Sequence, residues 1–335
     1  MQSNWQEFLT RQSAVFNNDR VLNFGNEKEE QTRALDDDVI CDLSQFDVLE
    51  IAGKEASYFL HGQLSSDVTS LGVNEMQISS WCNIKGRVVA SFLLYRQTQG
   101  FLVLIEKEMT EHFSKRLQMF IMRADVSIKN LSDDMVRIGI RGEALHEQYI
   151  EAKSSNESLI VVTLPDERSR SIILVQAKHA PALWESLAIH ALAIGSESWS
   201  LYDIQEGLAW IGRTGTEEFL PQSLNLDLIG ALSFDKGCYP GQEIIARMHF
   251  RGKLKQRLYI ASASIKTPPA ASTKLYTENV TQHIGLVVNS YMQSSELCLM
   301  LLVLDLAFAE SEKIYLGAQD GALVSALAPP YGLHG

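Results

Sequence analysis

Two stretches of this chain run through a similar order of elements, and that order limits the fold more than any other feature. In the first, Val48, Leu49 and Ile51 predict a strand closed by Gly53, and residues 56–64 a short helix with Phe59 and Leu60 turned inward. Residues 77–81, 88–95 and 101–105 then read as strands, the first two joined through the turn Asn83-Ile84-Lys85-Gly86-Arg87. Phe113, Leu117, Phe120 and Ile121 give residues 110–122 helical spacing. Residues 136–194 return to a similar order, of which residues 46–130 are a longer version. A strand over 136–140 ends near Gly142, a helix covers 143–150, and 159–164 pairs with 171–176 as a hairpin. A helix over 181–190 with Pro181 in its first turn and a strand over 191–194 complete it. The sequence β-α-β-β-α-β is that of a ferredoxin-like unit. After about residue 257 short apolar segments (258–261, 284–288, 297–304) alternate with turn-prone pairs such as Pro268-Pro269, which predicts a small antiparallel barrel or sandwich. The fold class is α+β.

Size and composition agree with such an assembly. At 335 residues two or three domains are expected, and 46% hydrophobic with 21% charged residues describes an ordinary globular chain. The net charge of −12 argues against a general nucleic-acid or membrane binder, so any polyanion contact must be local. Cys41, Cys82, Cys238 and Cys298 stand far apart with no C-x-x-C pair, giving neither a zinc site nor a disulfide framework. No apolar signal core follows Met1, and the run 297–309 is too short to span a bilayer and contains Asp305. A cytoplasmic monomer without a metal site is expected. The charged residues 26–38, with three consecutive aspartates at their end, read as a solvated connector.

One octapeptide carries chemistry. Lys236-Gly237-Cys238-Tyr239-Pro240-Gly241-Gln242-Glu243 sets a lone thiol between two glycines, just ahead of residues 242–246, which could open a helical turn. Unpaired N–H groups at a helix start favour thiolate, and Lys236 and Arg247 would add to that if close. The bland alternative is a small buried cysteine. Beyond the octapeptide, Arg247, His249, Arg251, Lys253, Lys255 and Arg257 occupy alternate positions, with Met248, Phe250, Leu254 and Leu258 between or beside them. On a strand this would make one face basic, suited to phosphates, glutamate carboxylates or an RNA backbone; edge protection by surface lysines is the competing account.

These residues resemble a known family. The octapeptide matches the K-G-C-Y-x-G-Q-E signature of the YgfZ-type folate-binding, tRNA-modifying proteins, which are similar to the aminomethyltransferase of the glycine cleavage system (GcvT). The resemblance extends through Phe219-Leu220-Pro221-Gln222, Asn225-Leu226 and Phe250-Arg251-Gly252, and more weakly to residues 82–87. It implies a GcvT/YgfZ-like three-domain ring with two ferredoxin-like units and a C-terminal antiparallel β-barrel, around a channel for tetrahydrofolate. Residues 1–130 with 200–255 would form the folate-binding domain, 131–199 the second unit and 256–335 the barrel. It also implies support of iron–sulfur enzymes, including ones that thiolate tRNA. Cys238 with Lys236 would be the reactive pair. Trp81, Asn83, Lys85, Gln205, Glu206, Tyr239, Gly241, Gln242, Glu243 and Arg247 would bind the cofactor, and the basic stripe its anionic tail.

Two departures matter. The aminomethyltransferases carry paired aspartates where this chain has Ala90 and Ser91, and neither side chain can act as a carboxylate base. Relatives usually place glutamate at the position of Gln205, to accept two hydrogen bonds from the pterin; glutamine would lose or reverse one. An accessory role through Cys238 is therefore the leading expectation. A folate-dependent methyl or aminomethyl transferase is the second; it needs a carboxylate elsewhere, with Asp67 or Glu206 as candidates. A direct tRNA-binding module is the third. His61, His112, His146, His179 and His190 show no metal-ligand spacing, and Trp184, Trp199 and Trp210 read as core residues.

Overall fold

The computed structural model describes residues 2–143, 145, 147, 159–165, 169–309 and 313–333. Helix α1 (Ser3–Arg11), the hairpin β1 (Val15–Asn17) and β2 (Arg20–Asn23), helix α2 (Glu27–Arg33) and strand β3 (Val39–Asp42) come first. The run expected as a connector is thus structured. Asn26 caps α2 by accepting from the Glu29 N–H, and three glutamates fill the first turn, where the helix dipole favours them. Glu30 turns inward and accepts from the Phe24 N–H at 2.6 Å.

The first ferredoxin-like unit comprises β4 (Phe46–Ala52), α3 (Ala56–His61), β5 (Met76–Cys82), β6 (Val88–Gln97), β7 (Gly100–Glu106), α4 (Lys107–Ile121) and β8 (Ser127–Asn130). Its sheet order is β5-β6-β7-β4-β8, with β4 antiparallel to both β7 and β8, so β5 is the added edge strand. Phe59, Leu60, Phe92, Val103, Phe113 and Leu117 fill the core beneath the helices. The opposite face, through Val48, Leu93 and Leu104, joins a larger core shared with the other units. Burial on both faces explains why β6 reads as an almost unbroken apolar run.

The second unit holds β9 (Met135–Arg141), β10 (Leu159–Thr163), β11 (Arg170–Gln176), α5 (Ala180–Ala188) and β12 (Leu192–Ile194). The helix expected over 143–150, with His146, lies largely outside the described residues. The sheet order is β10-β11-β9-β3-β12: β3 enters from upstream, antiparallel to β9 and parallel to β12. Helix α1 packs here too, with Trp5, Phe8 and Leu9 against Trp184, Val136 and Ile138. The Trp5 indole donates to Asp42 Oδ1 at 2.7 Å, which ties α1 to β3.

Helix α6 (Ser196–Gln205) leads into a long segment with one 3₁₀ turn, Pro221–Leu224, and then α7 (Gln242–Phe250). Strands β13 (Gln256–Ser264), β14 (Lys274–Thr277), β15 (Val280–Met292), β16 (Leu297–Asp305), β17 (Ile314–Leu316) and β18 (Ala322–Leu327) close into a six-stranded antiparallel barrel, in the order β13-β16-β15-β14-β17-β18. Closure leaves no free edge. The strand expected beneath the basic stripe is not formed. Residues 242–250 are helical and β13 begins only at Gln256, so Arg247 and His249 sit on a helix, Arg251, Lys253 and Lys255 on a connection, and Arg257 in the barrel. Good helix formers after Gly241 outweigh the alternation, and Gly252 follows the end of the helix. No helix among the described residues is long and apolar enough to cross a membrane.

Candidate functional site

The octapeptide is a junction before it is a site. Gly241 sits at φ +80°, and a β-carbon there would lie 2.4 Å from the Asn83 carbonyl oxygen and 2.6 Å from the Gly86 backbone. Gly86 is itself left-handed at φ +68°, in a turn that Asn83 organises by accepting from the N–H groups of Lys85 and Arg87 at 2.8 and 3.0 Å. The two glycines let two backbones touch, which explains why both segments carry glycine. The Gln242 amide donates to the Lys236 carbonyl at 3.2 Å and closes the loop.

The upstream motif locks this junction to the barrel. Gln222 donates to the Ile245 carbonyl at 2.8 Å. Asn225, left-handed at φ +57°, accepts from the Leu258 N–H and donates to the Leu258 carbonyl, at 3.2 and 3.0 Å. Arg257 makes a bidentate pair with Asp227 at 2.6 and 2.9 Å and donates to the Gln222 carbonyl. Arg257, expected in the anion stripe, is therefore committed to structure. Arg247, His249, Arg251, Lys253 and Lys255 are exposed, though not on one strand face; the His249 ring stacks on Phe234 at 3.7 Å.

Cys238 is exposed, and the other three cysteines are buried. Burial pushes the Cys82 thiol up to about 12 and the Cys298 thiol up to about 11, and raises Cys41 as well. Lys236, expected to act on the thiol, is buried instead. Its ammonium donates to the carbonyls of His61, Leu64 and Ser66, just past α3, and lies 4.9 Å over the Tyr239 ring. Burial pushes it down to about 8, while three carbonyl acceptors match the three donors of the charged form. Lys236 thus anchors the loop that presents Cys238.

The remaining candidates separate. Trp81 is 3% exposed and packs edge-on against Phe113 and Phe120, a core side chain. Lys85 and Glu243 are exposed, while Tyr239 is buried, and burial raises its hydroxyl. Ser91 accepts from the Ile211 N–H at 3.0 Å and donates to the Ala209 carbonyl at 2.9 Å, so it pins the 209–211 segment in place. Asp67 is occupied by Thr69, Ser70 and the His61 ring. Gln205 ends α6, with its Oε1 buried and unpartnered among the described residues.

Among the cavities that open where the units meet, two border segments named above. One, of about 530 Å³, is lined by Glu206, Leu208, Leu164, Leu228 and Tyr331 among others. The other, of about 350 Å³, lies between the β1–β2 hairpin, the first unit and the barrel; Arg20, Glu106, Glu108, Trp210, Asn289 and Tyr291 are in its wall. Trp210 is fixed there by its indole donating to Asp203 Oδ2 at 2.8 Å and by a two-way backbone pairing with the Asn289 amide at 3.2 and 3.0 Å. Burial pushes the Glu106 carboxyl up to about 7; Arg20 opposes this, while Glu108 and Asp203 reinforce it. Neither cavity is lined by Cys238 or by any other octapeptide residue. Sequence reasoning missed Arg20, Glu106 and Tyr291, because each stands alone in sequence and only the packing of three units brings them together.

The family model described as GCVT N-terminal domain matches residues 7–158. The solved glycine cleavage system aminomethyltransferase T from Bartonella henselae superposes with a TM-score of 0.82, covering 99% of this chain and 98% of that one, at 15% identity. That likeness places the fold in the aminomethyltransferase-like class. The tRNA-modifying protein YgfZ of Buchnera aphidicola subsp. Schizaphis graminum is 29% identical over 231 residues, 66% of this chain and 72% of that protein. That of Colwellia psychrerythraea is 28% identical over 239 residues, 68% and 73%. The chain is thus similar in sequence to the YgfZ proteins and in fold to the glycine-cleavage aminomethyltransferase, in the direction the octapeptide suggests.

Proposed function

We propose that this chain is a folate-binding accessory protein that supports iron–sulfur enzymes, including ones that thiolate tRNA, with Cys238 as its reactive group. One observation carries the reading: of four thiols, only Cys238 is exposed, on a loop held by Lys236, Gly241 and Gln242. The other three are buried thiols whose ionisation burial opposes. The YgfZ-type relatives are named for tRNA modification, which supports the same direction.

Tetrahydrofolate fits the smaller junction cavity in kind. Its wall offers a flat apolar face at Trp210, a carboxyl group at Glu106 and a cation at Arg20, the groups a pterin ring with N–H donors and a carbonyl acceptor would meet. The transferase alternative has no support at Ala90 and Ser91, since Ala90 is fully buried and Ser91 is used in structure. A direct tRNA contact would rest on the exposed Arg251, Lys253 and Lys255 and would weaken steeply with salt.

The test is complementation. In a strain lacking this protein, Cys238→Ser is expected to lose most of the restored activity of iron–sulfur enzymes, while folding and folate binding stay at wild-type level. Full restoration by the serine variant would overturn the role of the thiol.

A further inference from the structure

We propose that Glu106, at the end of β7, is the carboxylate that recognises the N–H edge of the bound pterin, in place of the acidic side chains missing at Ala90, Ser91 and Gln205. The inference rests on the folate reading above and goes further by assigning the ring-recognising residue.

The geometry brings three independent facts to one point. First, β6 reaches the edge of this cavity at Ser91, which accepts from the N–H of Ile211 in the cavity wall at 3.0 Å. Second, Glu106 lines the same cavity, with Arg20, Glu108 and Asp203 as its charged neighbours. Its sequence neighbours are engaged: Lys107 with Asp19, and Glu108 with the Arg213 N–H at 2.9 Å. Third, Arg20 from the β1–β2 hairpin and Tyr291 of β15 line the same cavity, which gives the opposite wall donors for a ring carbonyl. A carboxylate can accept two parallel N–H bonds from a 2-aminopyrimidinone edge, whereas Gln205 could accept only one.

The charged and titratable groups around Glu106 are Arg20 from the hairpin, Glu108 from α4, Asp203 from α6 and Tyr291 from the barrel. With its carboxyl pushed up to about 7, Glu106 changes charge in the neutral range. A ring that donates to it prefers the ionised form, so binding should strengthen as pH rises through that value. The pterin ring itself does not titrate there.

The experiment is calorimetric binding of 5-formyltetrahydrofolate to the full chain, at about pH 6 and about pH 8, for wild type, Glu106→Gln and the cavity-blocking Ala271→Trp. Wild type is expected to bind about tenfold more tightly at the higher pH. Glu106→Gln should bind at least about tenfold more weakly there, with the pH dependence gone and the melting temperature retained, and Ala271→Trp should bind little at either pH. Wild-type binding that Glu106→Gln leaves unchanged in strength and pH profile would overturn the role of Glu106 while sparing the folate reading. Binding that survives Ala271→Trp would move the ligand to another cavity and overturn the proposal the same way. A wild type that fails to bind at either pH would overturn both readings.

Discussion

Replacing Gly241 with alanine is expected to cost roughly 2–5 kcal/mol, combining the penalty of a left-handed backbone for an L residue with that of overpacking. The added carbon has no easy escape, because the three atoms nearest to it are all backbone: the Asn83 carbonyl oxygen at 2.4 Å and the Gly86 N and Cα at 2.6 Å. Relief requires separating the octapeptide from the 83–87 turn, and that releases the loop carrying Cys238. Gly230→Ala is the control. It has a similar φ of +72° with nothing within 4 Å of the added carbon, so it should cost only the backbone penalty, about 1–2 kcal/mol. Urea unfolding of the two variants side by side decides the matter. Equal losses would mean that the close approach does not matter.

Asp203→Ala should be at least as damaging, at about 3–5 kcal/mol, because it removes one side of a buried ion pair. Arg170 reaches Asp203 at 2.7 Å with both side chains almost fully inaccessible, and its guanidinium lies over the rings of Trp199 and Tyr202 at 5.1 and 5.8 Å. The pair joins β11 of the second unit to α6, and the second carboxylate oxygen holds the Trp210 indole. Loss of Asp203 should therefore loosen the wall of the smaller junction cavity as well as the unit interface. The double variant Arg170→Met with Asp203→Leu should recover much of the stability, since it removes both charges together. Urea unfolding, with tryptophan fluorescence as a local probe, measures both effects. A double variant no better than Asp203→Ala would show that the broken ion pair is not the cause.

Much of the architecture is legible in the sequence, for reasons that differ by element. Strands β4 to β7 announce themselves because both faces of their sheet are buried, which produces dense β-branched and aromatic runs. The barrel shows through its short apolar segments and turn residues. Strand β3 does not, since four residues next to three aspartates carry no period of their own and owe their pairing to β9 and β12. The basic alternation misled for a related reason. A period of two in six charged residues is weak evidence when the preceding residues favour a helix and none of the charges needs to be buried. At the site, the octapeptide gives the thiol directly. It does not tell that Lys236 serves three carbonyls, because an anchoring lysine and a catalytic one have the same local sequence. Glu106 and Arg20 are silent for want of any motif; separated by more than eighty positions, they become partners only when the hairpin, β7 and the barrel converge.

The placement of β3 also bears on how the chain is made. This strand is synthesised early, yet one of its two neighbours in the sheet, β12, follows roughly 150 residues later. At ordinary ribosomal speeds that separation amounts to about 10–30 s. Throughout that interval Val39, Ile40 and Cys41 are out without their full set of partners, while the whole first unit emerges between them. The aspartates just before β3 then have a second use, since like charges beside an incomplete strand discourage it from pairing with another nascent chain.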